Sequence, residues 1–414
     1  MTVFFYNLVI QIYFISIRIA AISGNEKAGL WIEGRKNLFS VIKSKLNVDE
    51  KHIWVHCASL GEFEQGRPLI EKLKEKYPEK KIILTFFSPS GYEIRKNYDK
   101  VDFVFYLPLD TLKNAKTFIE LINPELVVFV KYEYWYHYLN ELRKIHIPVI
   151  LISAVLREDH WLLGKWGRMH LKVLRKINHF FVQDDKTMQL LNDKNIHQVT
   201  VAGDTRFDRV WDVVQNSKNI SIAEKFSGGK KCIVAGSTWE MDEELLAEYL
   251  IHNKEIKLIV APHEINEEHL KSIENKFNSA IRFSGANEKT VSDFDVLIID
   301  NIGMLSSLYT YADATYVGGG FGKGIHNILE PAAHAKPVIF GPNHKKFREA
   351  GMLIDVGAGF EINNYEELKS VLDKFFSDEE YLKGCSEKAG NFVRSNKGAT
   401  EIISNYLTEE LKTV

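Results

Sequence analysis

The sequence predicts two doubly wound α/β domains of comparable size, the first preceded by an apolar helix. Three observations carry this. From His52 onward, β-branched and aromatic runs alternate with amphipathic stretches. The alternation restarts after a polar, glycine-containing passage at 217–230, and the first 23 residues are almost entirely apolar. At about 150 residues per domain, 414 residues suit two to three folding units. A hydrophobic share of 45% and a charged share of 26% are ordinary globular usage, which excludes disorder, collagen and simple coiled coil. Lys plus Arg number 53 against 55 Asp plus Glu, so no general attraction to nucleic acid is expected. Cys57, Cys232 and Cys385 are too far apart to imply a disulfide framework or a zinc site, and a reducing compartment fits them.

In chain order, residues 1–23 (MTVFFYNLVIQIYFISIRIAAIS) are long enough to span a bilayer as a helix, with Asn7, Gln11 and Arg18 on one narrow stripe. No basic residue precedes Arg18, which disfavours a cleaved signal peptide. Lys27, Arg35, Lys36, Lys43 and Lys45 follow, so the positive-inside rule leaves the body on the cytoplasmic side. The expectation is a membrane anchor, with a buried or interfacial helix carrying a polar seam as the alternative. The runs HIWVHCA, KIILTFF, FVFYLPL, LVVFV and IPVILISA then form the strands of the first domain, through residue 215. KCIVAG, KLIVAP, FDVLIID, ADATYVGGG and KPVIFG form those of the second, 216–414. Each half opens with a strand running into an S-x-x-E box, at Ser59–Glu62 and Ser237–Glu240. Carboxyl ends of both sheets are expected at a shared cleft, where ligands of open α/β sheets bind.

Candidate functional residues cluster at these strand exits. Val317 to Pro331 reads as a strand exit, a loop with five glycines and a helix start, which suits backbone N–H groups binding phosphate near Asn327, with Glu330 available to ribose hydroxyls. The spacing is not G-x-G-x-x-G with a distal acid, so a dinucleotide site and a dehydrogenase are poorly supported. Glu62 follows the first strong strand and serves equally well as a helix cap or as a proton acceptor, depending on whether a second carboxylate offsets the helix terminus. Glu133 follows another apolar strand and provides that second carboxylate, or an ordinary first-turn acid. Arg206, in Gly203-Asp204-Thr205-Arg206-Phe207-Asp208, either neutralises a departing phosphate or pairs with a neighbouring Asp. Pro262-His263 and Ile302-Gly303-Met304 each follow an apolar strand of the second half. Lys165, Arg168, Lys172, Arg175 and Lys176, interleaved with Trp161 and Trp166, suit an anionic lipid or phosphorylated glycolipid, or a solvated basic face.

Taken in order, the blocks ASLGEFEQGRPLI, KYEYW, GDTRFD, AGSTWEMDEE and GGGFGKGIHNILEPAAHAKPVIFGP resemble the 3-deoxy-D-manno-octulosonic acid (Kdo) transferases of lipopolysaccharide assembly over nearly the whole chain. The resemblance implies the GT-B type fold, two facing Rossmann-like domains with an N-terminal membrane-associated helix. It implies an acceptor-binding domain at 24–215, a donor-binding domain at 216–414, and inverting transfer of Kdo from CMP-Kdo to the lipid A precursor (lipid IVA) at the cytoplasmic face of the inner membrane. By position, Glu62 matches the family's proton acceptor, and Glu133 and Arg206 its transition-state supports. Pro262, His263, Ile302, Gly303, Met304, Asn327, Ile328, Leu329 and Glu330 match its CMP-binding segments. No cofactor, metal or nucleic acid is implied. The family more often has Lys where Arg206 stands, Arg where His263 stands, an acid where Met304 stands, and Thr or Ser before Glu133 where this chain has KYE. The rival readings are another GT-B enzyme, such as a UDP-sugar transferase or epimerase, and a membrane-tethered nucleotide-sugar binder without turnover.

Overall fold

The structure is a computed structural model that describes residues 2–413. The chain divides into two α/β units, one made of the residues up to Arg209 together with those from Lys397 onward, the other of Val210–Asn396. In the first, β1 (His52–Cys57), β2 (Lys81–Phe86), β3 (Phe103–Tyr106), β4 (Pro124–Val130), β5 (Val149–Ala154), β6 (His179–Val182) and β7 (Val199–Val201) form one parallel sheet in the order β3-β2-β1-β4-β5-β6-β7. In the second, β8 (Cys232–Thr238), β9 (Lys257–Pro262), β10 (Ala280–Arg282), β11 (Val296–Ile298), β12 (Ala314–Val317), β13 (Val338–Phe340) and β14 (Gly359–Glu361) pair in the order β10-β11-β9-β8-β12-β13-β14. Helices cover both faces, so β1 and β4 are buried along their full lengths and are mostly apolar, with His52 and His56 in β1 and Glu125 in β4 as the polar exceptions. The order reverses between β1 and β4 and between β8 and β12, which makes each junction a topological switch point.

The ten runs read from the sequence are β1–β5, β8, β9 and β11–β13. The four strands not read from the sequence, β6, β7, β10 and β14, have three or four residues each and lie at or beside sheet margins. The two halves do not open alike. Helix α4 (Leu60–Lys76) begins as expected after Ser59, after α1 (Val3–Ile22), α2 (Glu26–Glu33) and α3 (Leu38–Lys45). The second half's Ser237 instead turns into the left-handed region at φ +54°, and the strand continues through Thr238. Trp239 then becomes the cap and Asp242, not Glu240, accepts its N–H at 2.9 Å.

Whereas the sequence reading carries the second domain to residue 414, the helix Ala399–Thr413 packs on the first unit. Its Ile403 and Leu407 are buried in the core that also holds Val55, Phe63 and Leu69. Asp208 fixes its start, accepting the N–H of Gly398 at 2.5 Å and the N–H and hydroxyl of Thr400 at 2.8 Å each. At the other end of the chain, Arg35 ties the α1–α2 pair to the sheet. Its guanidinium donates to the carbonyls of Phe87 (2.8 Å), Leu107 (3.0 Å) and Trp31 (3.1 Å) and lies 3.8 Å from the centre of the Trp31 ring.

Arg35→Met would leave those three carbonyls without a donor in a largely buried place. The expected loss is about 2–4 kcal/mol of unfolding free energy, read by denaturant titration, and a loss under about 0.5 kcal/mol would show that water replaces the guanidinium freely.

Candidate active site

Parallel strands deliver whatever follows them to one edge, and because β1 pairs directly with β4, the segments after Cys57 and after Val130 are neighbours. Glu62 sits in the first turn of α4, and one carboxylate oxygen accepts the Ser59 N–H at 3.0 Å and faces the Ser59 hydroxyl at 3.4 Å. It is therefore the box's cap. Even so its pKa is pushed up to about 7, first by burial and then by the negative charge of Glu133. Lys131 and the N–H groups of Ser59 and Ala58 pull the other way without overcoming these. Desolvation and like charge thus outweigh the helix terminus, and Glu62 is a carboxylate poised near neutrality.

Glu133 is buried and immobilised. His56 Nε2 lies 3.0 Å from its Oε2, Trp135 Nε1 donates to the same oxygen at 2.5 Å, and His56 Nδ1 meets the Thr85 hydroxyl at 2.8 Å. His56 is the penultimate residue of β1, next to the strand's exit and after the apolar run Ile53–Val55. That polar interruption, together with Trp135 in the KYEYW block, was the available sequence signal for two residues the motif reading passed over. Lys131 is a third. It sits in the left-handed region at φ +71° directly after β4, and strain at a strand exit of this kind is common where geometry serves a site.

Arg206 begins the helix Arg206–Gln215 and is engaged by Asp204, with Nη2 to Oδ2 at 2.7 Å and Nε to the same oxygen at 2.9 Å. Of the two roles open to it, pairing with a neighbouring Asp is the one observed. The pair is not isolated, because Gln65 Nε2 reaches Asp204 at 3.4 Å and Thr205 donates to the Gln65 carbonyl at 2.5 Å. Gln65 is one turn along α4 from Glu62, so this chain of bonds docks the Arg206 loop against the helix that carries Glu62.

In the second unit the exits of β8, β9 and β12 are adjacent. Asp242 accepts the N–H of Gly319 at 3.0 Å and the hydroxyl of Tyr316 at 2.7 Å, which fixes the glycine loop against the helix Glu240–His252. Most of the glycine run serves packing rather than a ligand. A Cβ on Gly318 would fall 2.3 Å from the Ser237 carbonyl oxygen, and one on Gly320 would fall 2.5 Å from the Gly341 nitrogen. The expected helix start at Asn327 is also displaced. The helix is only Leu329–Ala333, and the Asn327 side chain already accepts the Leu329 N–H at 3.1 Å and donates to Glu330 at 2.9 Å. Little helix dipole remains there for phosphate, because five residues cannot build the field that a longer helix does.

Pro262 ends β9, and the exposed ring of His263 stacks 4.9 Å from Trp239 and 4.3 Å from His326. Burial first, and then His263, holds His326 down to about 4, so it is neutral at physiological pH. Trp239 and His326 lie inside quoted motifs, but only the folded chain shows their rings beside His263. Ile302 is 92% exposed, Gly303 follows at φ +100°, and Met304 turns inward against the core beneath β11. One Asp-x-Asp run, the pattern of metal-dependent transferases, occurs at Asp293-Phe294-Asp295. It precedes β11 at the amino end of the sheet, away from these loops, and Asp295 pairs with Lys257 at 3.4 Å.

Residues 33–209 match the family described as 3-deoxy-D-manno-octulosonic-acid transferase (kdotransferase). The chain is 27% identical to a 3-deoxy-D-manno-octulosonic acid transferase of Rickettsia bellii, over 97% of this chain and 96% of that one. It is 29% identical to the Aquifex aeolicus protein of the same description, over 83% of this chain and 94% of that one. A bifunctional glycosyltransferase/methyltransferase of Fusobacterium nucleatum is 26% identical over 88% of this chain, which spans 59% of that protein's length. Among solved structures, the UDP-GlcNAc 2-epimerase of Neisseria meningitidis bound to UDP-GlcNAc superposes with a TM-score of 0.59 at 15% identity, covering 87% of this chain and 100% of that one. A putative UDP-N-acetylglucosamine 2-epimerase of Listeria monocytogenes gives 0.56 at 15% identity, covering 88% and 96%. These likenesses establish the GT-B type fold.

The raised Glu62 carboxylate makes a prediction about stability. Its folded pKa of about 7 exceeds the ordinary 4.5, so its penalty is absent below pH 4.5 and fully developed above pH 7. Glu62→Gln should therefore match the wild type in unfolding free energy near pH 4.5 and exceed it at pH 8, by on the order of 1–3 kcal/mol. A variant less stable than wild type at pH 8 would mean that its capping role outweighs its charge.

Proposed function

With residues 33–209 carrying the Kdo transferase family domain and curated Kdo transferases similar along nearly the whole chain, we propose that this glycosyltransferase moves Kdo from CMP-Kdo to the lipid A precursor, with inversion, at the cytoplasmic face of the inner membrane. The observation that carries the mechanism is the Glu62 carboxylate, held near pH 7 beside an immobilised Glu133. A general base works best when its pKa lies near the operating pH. Glu62 takes the proton of an acceptor hydroxyl as that oxygen attacks the anomeric carbon of Kdo, on the face opposite CMP. The bond to the CMP phosphate breaks, and its electron pair leaves with the phosphate.

Glu133 has two tasks in this reading. It raises the basicity of Glu62, and its fixed negative charge steadies the positive character that develops on the sugar ring as the leaving group departs. Arg206, shared with Asp204, meets the charge of the departing phosphate, so no divalent cation is called on. For the donor, the loops at Pro262–His263, Ile302–Met304 and Asn327–Glu330 hold CMP. The stacked rings of Trp239, His263 and His326 favour this, since a pyrimidine can lie against such a face.

The test is CMP release by purified protein in detergent, with freshly generated CMP-Kdo and lipid A precursor. Release that depends on acceptor and falls at least about a hundredfold in Glu62→Gln would support both the reaction and the base. Turnover near wild type in that variant would remove Glu62 from its role. The same assay across pH should show kcat/KM falling about tenfold per pH unit below about 7, as Glu62 takes up its proton, and a profile flat to pH 5.5 would contradict the shift. CMP should raise the melting temperature while UDP leaves it unchanged. The reverse order would move the reading to a UDP-sugar enzyme.

A further inference from the structure

Helix α1 is long and apolar enough to cross a membrane, with a mean hydropathy of 1.7, yet it is attached to the first unit along much of its length. Tyr6, Ile10, Phe14 and Ile17 form the attached stripe and pack with Trp31, Leu109 and Met169. Two polar bonds pin its first half. Asn7 Oδ1 meets His137 Nε2 at 2.7 Å, and the Tyr6 hydroxyl donates to Asp110, whose buried carboxylate is also held by the N–H groups of His137 (3.0 Å) and Tyr138 (3.1 Å). At about 100° per residue, Asn7, Gln11 and Arg18 form a polar line beside the attached stripe. Beyond that line Phe4, Phe5, Leu8, Ile12, Ile19 and Ile22 lie on the outer face, each between 46% and 84% exposed.

This arrangement is incompatible with a crossing helix. A polar line running from Asn7 to Arg18 would traverse the hydrocarbon, and α2, fixed alongside with Glu26, Lys27 and Glu33, would be drawn in with it. The same arrangement fits a helix lying flat, with the outer arc among acyl chains and the polar line at head-group level.

At the amino end of α1 a groove of about 730 Å³ is lined by Thr2 and Val3, by Tyr136, Asn140 and Arg143 of the helix Tyr136–Lys144, by Arg168 and Lys172 of the helix Arg168–Leu174, and by Lys176 in the turn that follows it. The last three are spaced four residues apart. No carboxylate lines the groove, and no ion pair engages these four cations among the described residues. Trp166, just before the helix Arg168–Leu174, is 68% exposed, as an interfacial aromatic would be.

We propose that α1 lies in the plane of an anionic bilayer surface, and that this basic groove receives the phosphates of anionic phospholipid head groups. The placement is independent of the transfer reading, because its test needs neither donor nor acceptor. Thr2→Cys, Gln11→Cys and Ser23→Cys are made one at a time in the full chain, where the three native cysteines are buried. Each variant is bound from outside to phosphatidylglycerol vesicles and treated with a membrane-impermeant maleimide. All three positions should label from outside, to the extent reached after detergent lysis. A Gln11→Cys shielded until lysis, or one terminus protected inside, would overturn the in-plane helix.

For the groove, flotation compares phosphatidylglycerol with phosphatidylcholine vesicles. Arg168→Gln/Lys172→Gln/Lys176→Gln, on a surface whose change should leave the melting temperature unaltered, should weaken binding to the anionic vesicles at least about tenfold. It should leave the weak binding to phosphatidylcholine as it is. Wild-type flotation by the triple variant, or displacement of the wild type from vesicles by inorganic phosphate at matched ionic strength, would refute the head-group site.

Discussion

The candidate site in each unit hangs on one constraint, the reversal of strand order at the centre of its parallel sheet. Where β1 meets β4 and where β8 meets β12, the chain leaves adjacent strands toward opposite faces, and the loops part there. The first unit uses its junction for two carboxylates, Glu62 and Glu133. The second uses its own for Asp242, the glycine loop and the three stacked rings. The buried apolar strands beneath supply rigidity, and they also supply the low-dielectric floor that makes charges at the edge strong.

That floor explains why Glu62 behaves differently from a cap of the same sequence on a solvated helix. The Ser59 N–H would lower an exposed carboxylate, but here the cost of burial and the nearby Glu133 are larger. The relay from Thr85 through His56 to Glu133 matters for the same reason. A carboxylate free to rotate away would relieve the repulsion, whereas one held by His56 and Trp135 cannot, and so keeps its neighbour basic. The second unit applies its acid differently. Asp242 spends its acceptors on Tyr316, Trp239 and Gly319, which makes it a brace for the loop.

The sheet cores were legible because strands covered on both faces are mostly apolar, and ten such runs stood out. The marginal strands β6, β7, β10 and β14 were not among them, and the home of residues 397–413 depended on which core had room for Ile403 and Leu407, a fact of packing with no local signature. At the candidate site, motif spacing singled out Glu62, Glu133 and the glycine loop. It could not tell that Gly318 and Gly320 serve backbone contacts, that the helix after Asn327 is short, or that Asp242 rather than Glu240 closes the second box. Those outcomes turn on ångström-scale approaches between distant segments. His56 was visible as a polar residue after an apolar run, but its partner was not.

The bond from Asp208 to the start of the helix Ala399–Thr413 has a bearing on how the chain is made. The first unit is discontinuous, interrupted by the whole of the second. During synthesis the ribosome must therefore deliver every residue of Val210–Asn396 before Ile403 and Leu407 can enter the first unit's core. The unit that starts first is completed last, and until then it waits with an apolar slot open beside α4. Nascent-chain quality control would meet this protein at that slot.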